Sequence, residues 1–196
     1  QHIVNPDYIW REIHPPLAQD RPITILGLGA LGQACAAALT ALKFPVSGWS
    51  RRAKKIDGLT CHHGPSGLQA ALQSAEILIL LLPDTPQTKH VINTQTLAQM
   101  PRGAVIINPG RGPLIDDHAL LAALEQKHIS AACLDVFRVE PLPQDHPYWH
   151  LPNVTVTPHI ASGTRPATAA EVLVENIVRG ESCAPFLHLV DRTAGY

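Results

Sequence analysis

Ile23-Thr24-Ile25-Leu26-Gly27-Leu28-Gly29-Ala30-Leu31-Gly32 is the stretch on which the reading of this chain turns. A β-rich apolar run at 23–26 meets glycines at 27, 29 and 32, and residues 31–42 then carry apolar side chains at helical spacing. Strand, glycine-rich turn and helix in that order form the context a dinucleotide fingerprint requires. Each glycine has its own physical task. Gly27 permits the tight turn, Gly29 lets the backbone approach a pyrophosphate, and Gly32 allows the helix to pack closely on the strand. Ala30 and Leu31 place free N–H groups at the helix start, facing the anion. Alone, such a turn is as compatible with an ordinary strand-to-helix connection. The second strand at 46–49, at the right distance, favours nucleotide binding.

Outward from this turn, further strand-length apolar runs recur at 77–81, 104–107, 131–134 and 154–156. Between them, 68–72 and 119–124 have helical spacing, the latter after Asp116 and Asp117, which can cap a helix start. Strands that are apolar on both faces and alternate with helices predict an α/β fold. The expected architecture is a doubly wound parallel sheet of Rossmann type with helices on both faces. The segment 164–180 again reads as helix, with Val172, Ile177 and Val178 on an apolar face.

Composition narrows the function classes. The chain has 196 residues, 45% hydrophobic and 16% charged, with a formal net charge of -1, so neither a phosphate backbone nor an anionic membrane is an indicated partner. Its most apolar run is too short to span a bilayer and ends at Pro83, and no targeting signal is visible. Cys35, Cys61, Cys133 and Cys183 are far apart and form no CxxC, which suits a reducing cytoplasm. The pairs His62-His63 and His146/His150 have no cysteine or carboxylate at ligand spacing, so no metal site is expected.

At the end of the second strand, an NAD-preferring site would place an acidic residue to accept hydrogen bonds from the ribose 2′-hydroxyl. This chain has Ser50, Arg51 and Arg52 there, followed by Lys54 and Lys55. Hydroxyl and guanidinium donors in that place suit a 2′-phosphate, so NADP(H) is the preferred cofactor and NAD(H) a possible one.

Three further segments follow predicted strands. Asn108-Pro109-Gly110-Arg111 comes after 104–107, Glu140-Pro141 after Asp135-Val136-Phe137, and Thr157-Pro158-His159 after 154–156. Ligands bind at carboxyl ends of strands in open α/β sheets. Reducing a 2-oxo acid needs a positive group for the carboxylate and carbonyl, and a proton for the carbonyl oxygen. Arg111 offers a planar, permanently charged fork. His159 is the natural proton donor, because the ordinary pKa of histidine lies near neutrality, and Glu140 on its other ring nitrogen would favour imidazolium. Taken singly, each residue is as readily a turn or loop residue; in order and at strand ends they form a catalytic trio.

In the motifs INPGRG (107–112), LDVFRVEP (134–141) and TPHIA (157–161), the chain resembles the D-2-hydroxyacid dehydrogenase family. LLPDTPQT (81–88) is similar to that family's cofactor-contacting loop, which adds Leu82, Pro83 and Thr88 to the expected cofactor residues. Ser50-Arg51-Arg52 and the closing 190–196 resemble the glyoxylate/hydroxypyruvate reductase A subgroup. Pro109 and Gly110 depart from the residues more usual before the arginine. The resemblance implies NADPH-dependent reduction of glyoxylate or hydroxypyruvate and a homodimeric full-length form. It also implies cofactor contacts from Asn108, Pro109, Gly110 and His159, with Asp135 on the nicotinamide carboxamide. It further implies a substrate lobe before this domain, for which 1–20 is too short. Residues 1–20 are therefore expected to be a linker remnant with a helix at 5–13, 21–163 the dinucleotide-binding domain, and 164–196 a helix and tail returning to the lobe. Turnover by the chain alone is expected to be impaired. The competing readings are a nucleotide-binding module without turnover and a methyltransferase using S-adenosylmethionine, which would share the glycine turn but has no use for the trio.

Overall fold

The computed structural model describes residues 15–192, so the helix expected at 5–13 lies outside the described residues. Seven strands form one sheet: β1 (Ile23–Leu26), β2 (Val46–Ser50), β3 (Thr60–His63), β4 (Ile77–Leu80), β5 (Ala104–Asn108), β6 (Ile129–Leu134) and β7 (Val154–Val156). Every pairing is parallel, in the spatial order β3-β2-β1-β4-β5-β6-β7. The chain winds outward from β1 to β3, then returns to β4 on the other side of β1. The strand order reverses between β1 and β4, and that crevice is where such sheets take ligands.

Among the described residues, five α-helices accompany the sheet: α1 (Ala30–Ala41), α2 (Gly64–Gln73), α3 (Thr94–Leu97), α4 (Asp117–Glu125) and α5 (Pro166–Glu181). Alternation along the strands separates two layers of core. Ile23 and Ile25 of β1 and Ile77 and Ile79 of β4 pack with Ala36 of α1. Leu26, Leu78 and Leu80 point the other way, into a larger cluster with Ala71 and Leu72 of α2 and Leu120 and Leu124 of α4. The doubly wound sheet expected from the sequence is thus present. Asp116 caps α4, its carboxylate accepting from the N–H groups of His118 and Ala119 at 3.1 and 3.4 Å.

Several boundaries differ from expectation. The strand β3 is absent from the sequence reading because Thr60-Cys61-His62-His63 is an edge strand with a polar face, half-exposed or exposed along its length. The helix α2 starts at Gly64 rather than 68, and β6 starts at Ile129 rather than 131. The helix α5 forms where expected, with none of its residues buried. The exposed apolar face is Leu173, Val174, Ile177 and Val178, whereas Val172, expected on the same face as Ile177 and Val178, is half-buried on the other side of the helix. Its apolar face has no cover within the described chain. No helix among the described residues is long and apolar enough to cross a membrane.

Candidate active site

The glycine-rich turn lies in the β1/β4 crevice. Gly27 has φ +112°, a backbone conformation that favours glycine, and a Cβ there would lie 2.5 Å from the Leu81 carbonyl oxygen. A Cβ on Gly32 would lie 1.9 Å from the Gly27 carbonyl oxygen, so the third glycine fits α1 against the turn itself. Around Gly29 the space is open, with nothing within 4 Å of a Cβ. Gly29 is also the N-cap of the 12-residue α1 and provides no side-chain cap. The helix start therefore has the character of an anion site: dipole-favoured, uncapped and open to backbone approach. Ala30 and Leu31 form the exposed first turn, with Leu31 61% exposed.

At the end of β2 there is no carboxylate. Buried Ser50 donates its hydroxyl to the Arg52 carbonyl at 2.8 Å, which folds the exposed Arg51–Arg52 segment over the strand end. Ser50 thus shapes this loop besides offering a hydroxyl to a ligand. Thr88 plays a similar structural part in the loop after β4. Its hydroxyl donates to Pro83 O at 2.6 Å and accepts from the Thr85 N–H at 2.9 Å, closing 83–88 into a compact turn behind buried Leu82.

The trio sits on three adjacent strands whose register aligns Asn108, Leu134 and Val156. Arg111 and His159 each lie three residues beyond that line, and Asp135 one residue beyond it. The Asn108 amide is occupied by the loop, accepting from Gly110 N–H at 3.1 Å and donating to Arg111 O at 3.0 Å. These two bonds shape the arginine turn. Gly110 abuts the Leu80 carbonyl, where a Cβ would lie at 2.7 Å. The Arg111 side chain is exposed and donates to Gly110 O at 2.6 Å.

Gly112 joins the arginine turn to the next loop, since a Cβ on it would lie 2.0 Å from the Phe137 carbonyl carbon. From there the connections run directly to the histidine. Phe137 N–H donates to Glu140 Oε1 at 2.8 Å, and Glu140 Oε2 stands 2.7 Å from His159 Nδ1. A carboxylate can only accept, so Nδ1 carries the proton in this pair and Nε2 is the ring nitrogen directed away from Glu140. The hydrogen bond from His159, and next that from Phe137, hold the Glu140 carboxyl below its ordinary pKa. The anion that steadies an imidazolium is thereby kept charged. Beside the pair is a cavity of about 620 Å³, with Phe137, Pro141, Leu142, Trp149, Val156 and Pro158 in its walls.

His159 has φ 54°, unusual for a residue with a side chain. Asp135 keeps it there. The His159 N–H donates to Asp135 O at 2.8 Å, and the buried Asp135 carboxylate accepts from Thr157 Oγ1 and from the N–H groups of Ile160 and Ala161, both at 2.9 Å. Strained conformations persist where surrounding bonds over-determine them. Burial works against the Asp135 charge, yet the hydrogen bonds from Thr157, Ala161 and Ile160 outweigh it and hold the carboxyl below its ordinary pKa. Neither Thr157 nor the clamping role of Asp135 was visible in the sequence, because a strand-end aspartate meets the N–H groups of residues 160 and 161 only through the β6/β7 pairing.

That depressed pKa fixes a sign. The Asp135 contribution to stability is fully present above the unfolded carboxyl range near pH 4 and is lost as pH falls through the lower folded value. Asp135→Asn is expected to lower stability at pH 7 by about 1–3 kcal/mol, the scale for disrupting bonds to a buried charged group, and to shrink the acid-side loss. Denaturant midpoints at pH 7 and pH 3.5 check this. An unchanged midpoint at pH 7 would remove the clamp from the account.

The other histidines named from the sequence have structural settings. His62 and His63 lie on β3, and His146 Nδ1 accepts from Tyr148 N–H at 3.3 Å with the two rings 4.6 Å apart. Among the described residues, no group of three or more His, Cys, Asp or Glu is placed to hold a metal ion.

Comparison with known proteins places the chain in a family. Residues 8–161 match the family described as "D-isomer specific 2-hydroxyacid dehydrogenase, NAD binding domain". A glyoxylate/hydroxypyruvate reductase A from Serratia proteamaculans is 43% identical over 95% of this chain, which covers 60% of that protein. A solved D-isomer specific 2-hydroxyacid dehydrogenase from Xanthobacter autotrophicus Py2, in complex with NADPH and MES, superposes with TM-score 0.94. It is 46% identical, and the match covers 97% of this chain and 79% of that one. An NADPH-dependent glyoxylate/hydroxypyruvate reductase from Sinorhizobium meliloti, in complex with NADP and sulfate, gives TM-score 0.93 at 37% identity, over 97% of this chain and 62% of that one. The chain spans about 60% of the length of the curated relatives it matches. It belongs to the D-isomer-specific 2-hydroxyacid dehydrogenase family, and the glycine turn, Arg111, Glu140 and His159 lie in the part that the family's NAD-binding domain covers.

Proposed function

We propose that this chain is the cofactor-binding and proton-donating part of an NADPH-dependent reductase of small 2-oxo acids, glyoxylate or hydroxypyruvate, yielding the D-2-hydroxy acid. The observation that carries the reading is the His159–Glu140 pair at 2.7 Å, on a strand end two positions along the sheet from the arginine turn. The residues fit a dinucleotide: the uncapped start of α1 suits a pyrophosphate, and the acid-free β2 end with Arg51 and Arg52 suits a 2′-phosphate. When bound, NADPH supplies the hydride. Arg111 holds the substrate carboxylate and polarises the carbonyl. His159 delivers a proton from Nε2 to the carbonyl oxygen, while Glu140 orients the ring and steadies its charged form. Asp135 retains acceptor capacity beyond its three bonds, enough for one carboxamide N–H. Ser50, Leu82, Pro83 and Thr88 serve the cofactor by shaping the loops around it, and Pro109 and Gly110 by bringing backbone close.

The same reading assigns 1–20 to a linker, 21–163 to the cofactor domain and 164–196 to a segment that joins a substrate lobe; the family match, 8–161, ends near the second of these boundaries and begins before the first. The uncovered apolar face of α5 supports that assignment. In full-length form we place the enzyme in the cytoplasm as a homodimer; the four cysteines are free thiols in the structure, which accords with a reducing compartment.

Arg51→Ala/Arg52→Ala is expected to weaken NADPH by about 1.5–3 kcal/mol, the scale of hydrogen bonds to charged groups, and to change NADH little. Fluorescence titration of both cofactors checks it. Equal losses would take these arginines out of 2′-phosphate recognition. The reaction itself is tested by NADPH absorbance with glyoxylate and hydroxypyruvate, using this chain joined to a substrate lobe. NADPH binding without consumption of either acid would leave a nucleotide-binding module.

A further inference from the structure

From the far side of the loop after β2, the Lys54 ammonium reaches back to the glycine-rich turn. Its Nζ donates to the Leu28 carbonyl at 2.6 Å, and Gln33 Nε2 of α1 donates to the same oxygen at 3.1 Å. Leu28 immediately precedes Gly29, the open N-cap of α1. The loop carrying Lys54 is anchored at both ends as well. Ser50 Oγ holds the Arg52 carbonyl at its start, and Leu59 N–H donates to Ile56 O at 3.1 Å at its end. One cation therefore spans from the arginine-bearing loop to the turn that faces a pyrophosphate. In this fold the ribose next to the adenine lies between those two elements.

We propose that Lys54 is a specificity-determining residue for NADPH, the member of the basic segment that closes the 2′-phosphate site against the glycine-rich turn. An ammonium has three N–H donors, and one bond to Leu28 O leaves two for phosphate oxygens. Its anchorage has a second consequence. A solvated lysine must lose side-chain freedom before it can hold an anion, whereas Lys54 is already held beside the ribose position, so less is lost on binding. The charge it answers belongs to the 2′-phosphate, which NADPH has and NADH lacks. This inference rests on the NADP(H) reading above and adds a residue that the reading does not require.

The test is fluorescence titration of NADPH and NADH into the chain, its Lys54→Met variant and its Lys54→Arg variant, with far-UV circular dichroism and thermal melting as controls for folding. Lys54→Met is expected to raise the Kd for NADPH about tenfold and to leave NADH within about twofold, as for loss of one charge-assisted bond. Lys54→Arg, which keeps the charge, restores most of the NADPH affinity. Equal weakening of both cofactors overturns the proposal, because Lys54 then only braces the turn or serves the pyrophosphate. An unchanged NADPH Kd in Lys54→Met overturns it too. A wild-type chain that binds both cofactors equally defeats the NADP(H) reading itself, whatever the variants do.

Discussion

His159→Ala, made in an enzyme that joins these residues to a substrate lobe, is expected to lower kcat by about 10²-fold or more while leaving the NADPH Kd within about twofold. The separation follows from where the ring sits. Glu140 takes its Nδ1, the backbone around it is held by Asp135, and the glycine turn that suits the pyrophosphate lies on the other side of the sheet centre, on β1. Removing the imidazole deletes a positioned proton donor and the one cofactor contact that the family resemblance gives His159, and it leaves the glycine turn and the end of β2 intact. The Asp135 carboxylate bonds to backbone N–H groups and to Thr157, none of which involves the His159 ring, so the loop should survive the substitution. Steady-state kinetics beside a cofactor titration decide the matter. A kcat near that of the parent enzyme would mean that another group delivers the proton.

The contrast between the His159 loop and α5 shows what the residues disclosed by themselves. Ile23–Leu26 and Ile77–Leu80 were legible because strands covered on both faces are predominantly apolar, Thr24 being the one polar residue in the two, and both are fully or nearly buried. The edge strand β3 has one neighbour and a polar composition, so its period is lost in the sequence. Arg111, Glu140 and His159 could be picked out because each stands beyond a legible strand. The groups that fix them could not, because Asp135 to Ala161, Gly112 to Phe137 and Lys54 to Leu28 are contacts between segments distant in sequence. Asn108 and Thr88 show the reverse. The family resemblance names both as cofactor residues, and what the sequence does not show is that their short polar side chains bond to nearby backbone in tight turns, as both do. On α5 the sequence placed Ile177 and Val178 on the apolar side but put Val172 there too, which is half-buried on the other side, and periodicity carries no information on what covers either side.

That uncovered helix bears on the other large effect. The 196-residue chain alone is expected to bind NADPH yet reduce glyoxylate and hydroxypyruvate at least about 10²-fold more slowly than the complete Serratia relative, the scale lost when reacting groups are not held in place. The cofactor surfaces are internal to the β1/β4 crevice and the end of β2, so binding needs little from elsewhere. Hydride and proton transfer need the substrate fixed between Arg111 and His159 in a water-poor cleft. Here the His159 side chain is 51% exposed, Arg111 is exposed, and the 620 Å³ cavity opens beside the pair. In open solvent the pull of a guanidinium on a carboxylate is weakened by water and salt, and a small acid keeps its orientational freedom. On the proposed domain division, the exposed Leu173, Val174, Ile177 and Val178 are the apolar surface on which a substrate lobe would close, and self-association through them is expected when the chain is assayed by itself. The measurement pairs NADPH fluorescence with absorbance assays on one preparation, after light scattering has established the state of association. Rates within a few-fold of the relative would show that these residues suffice for the reaction, and the role assigned to lobe closure would fall.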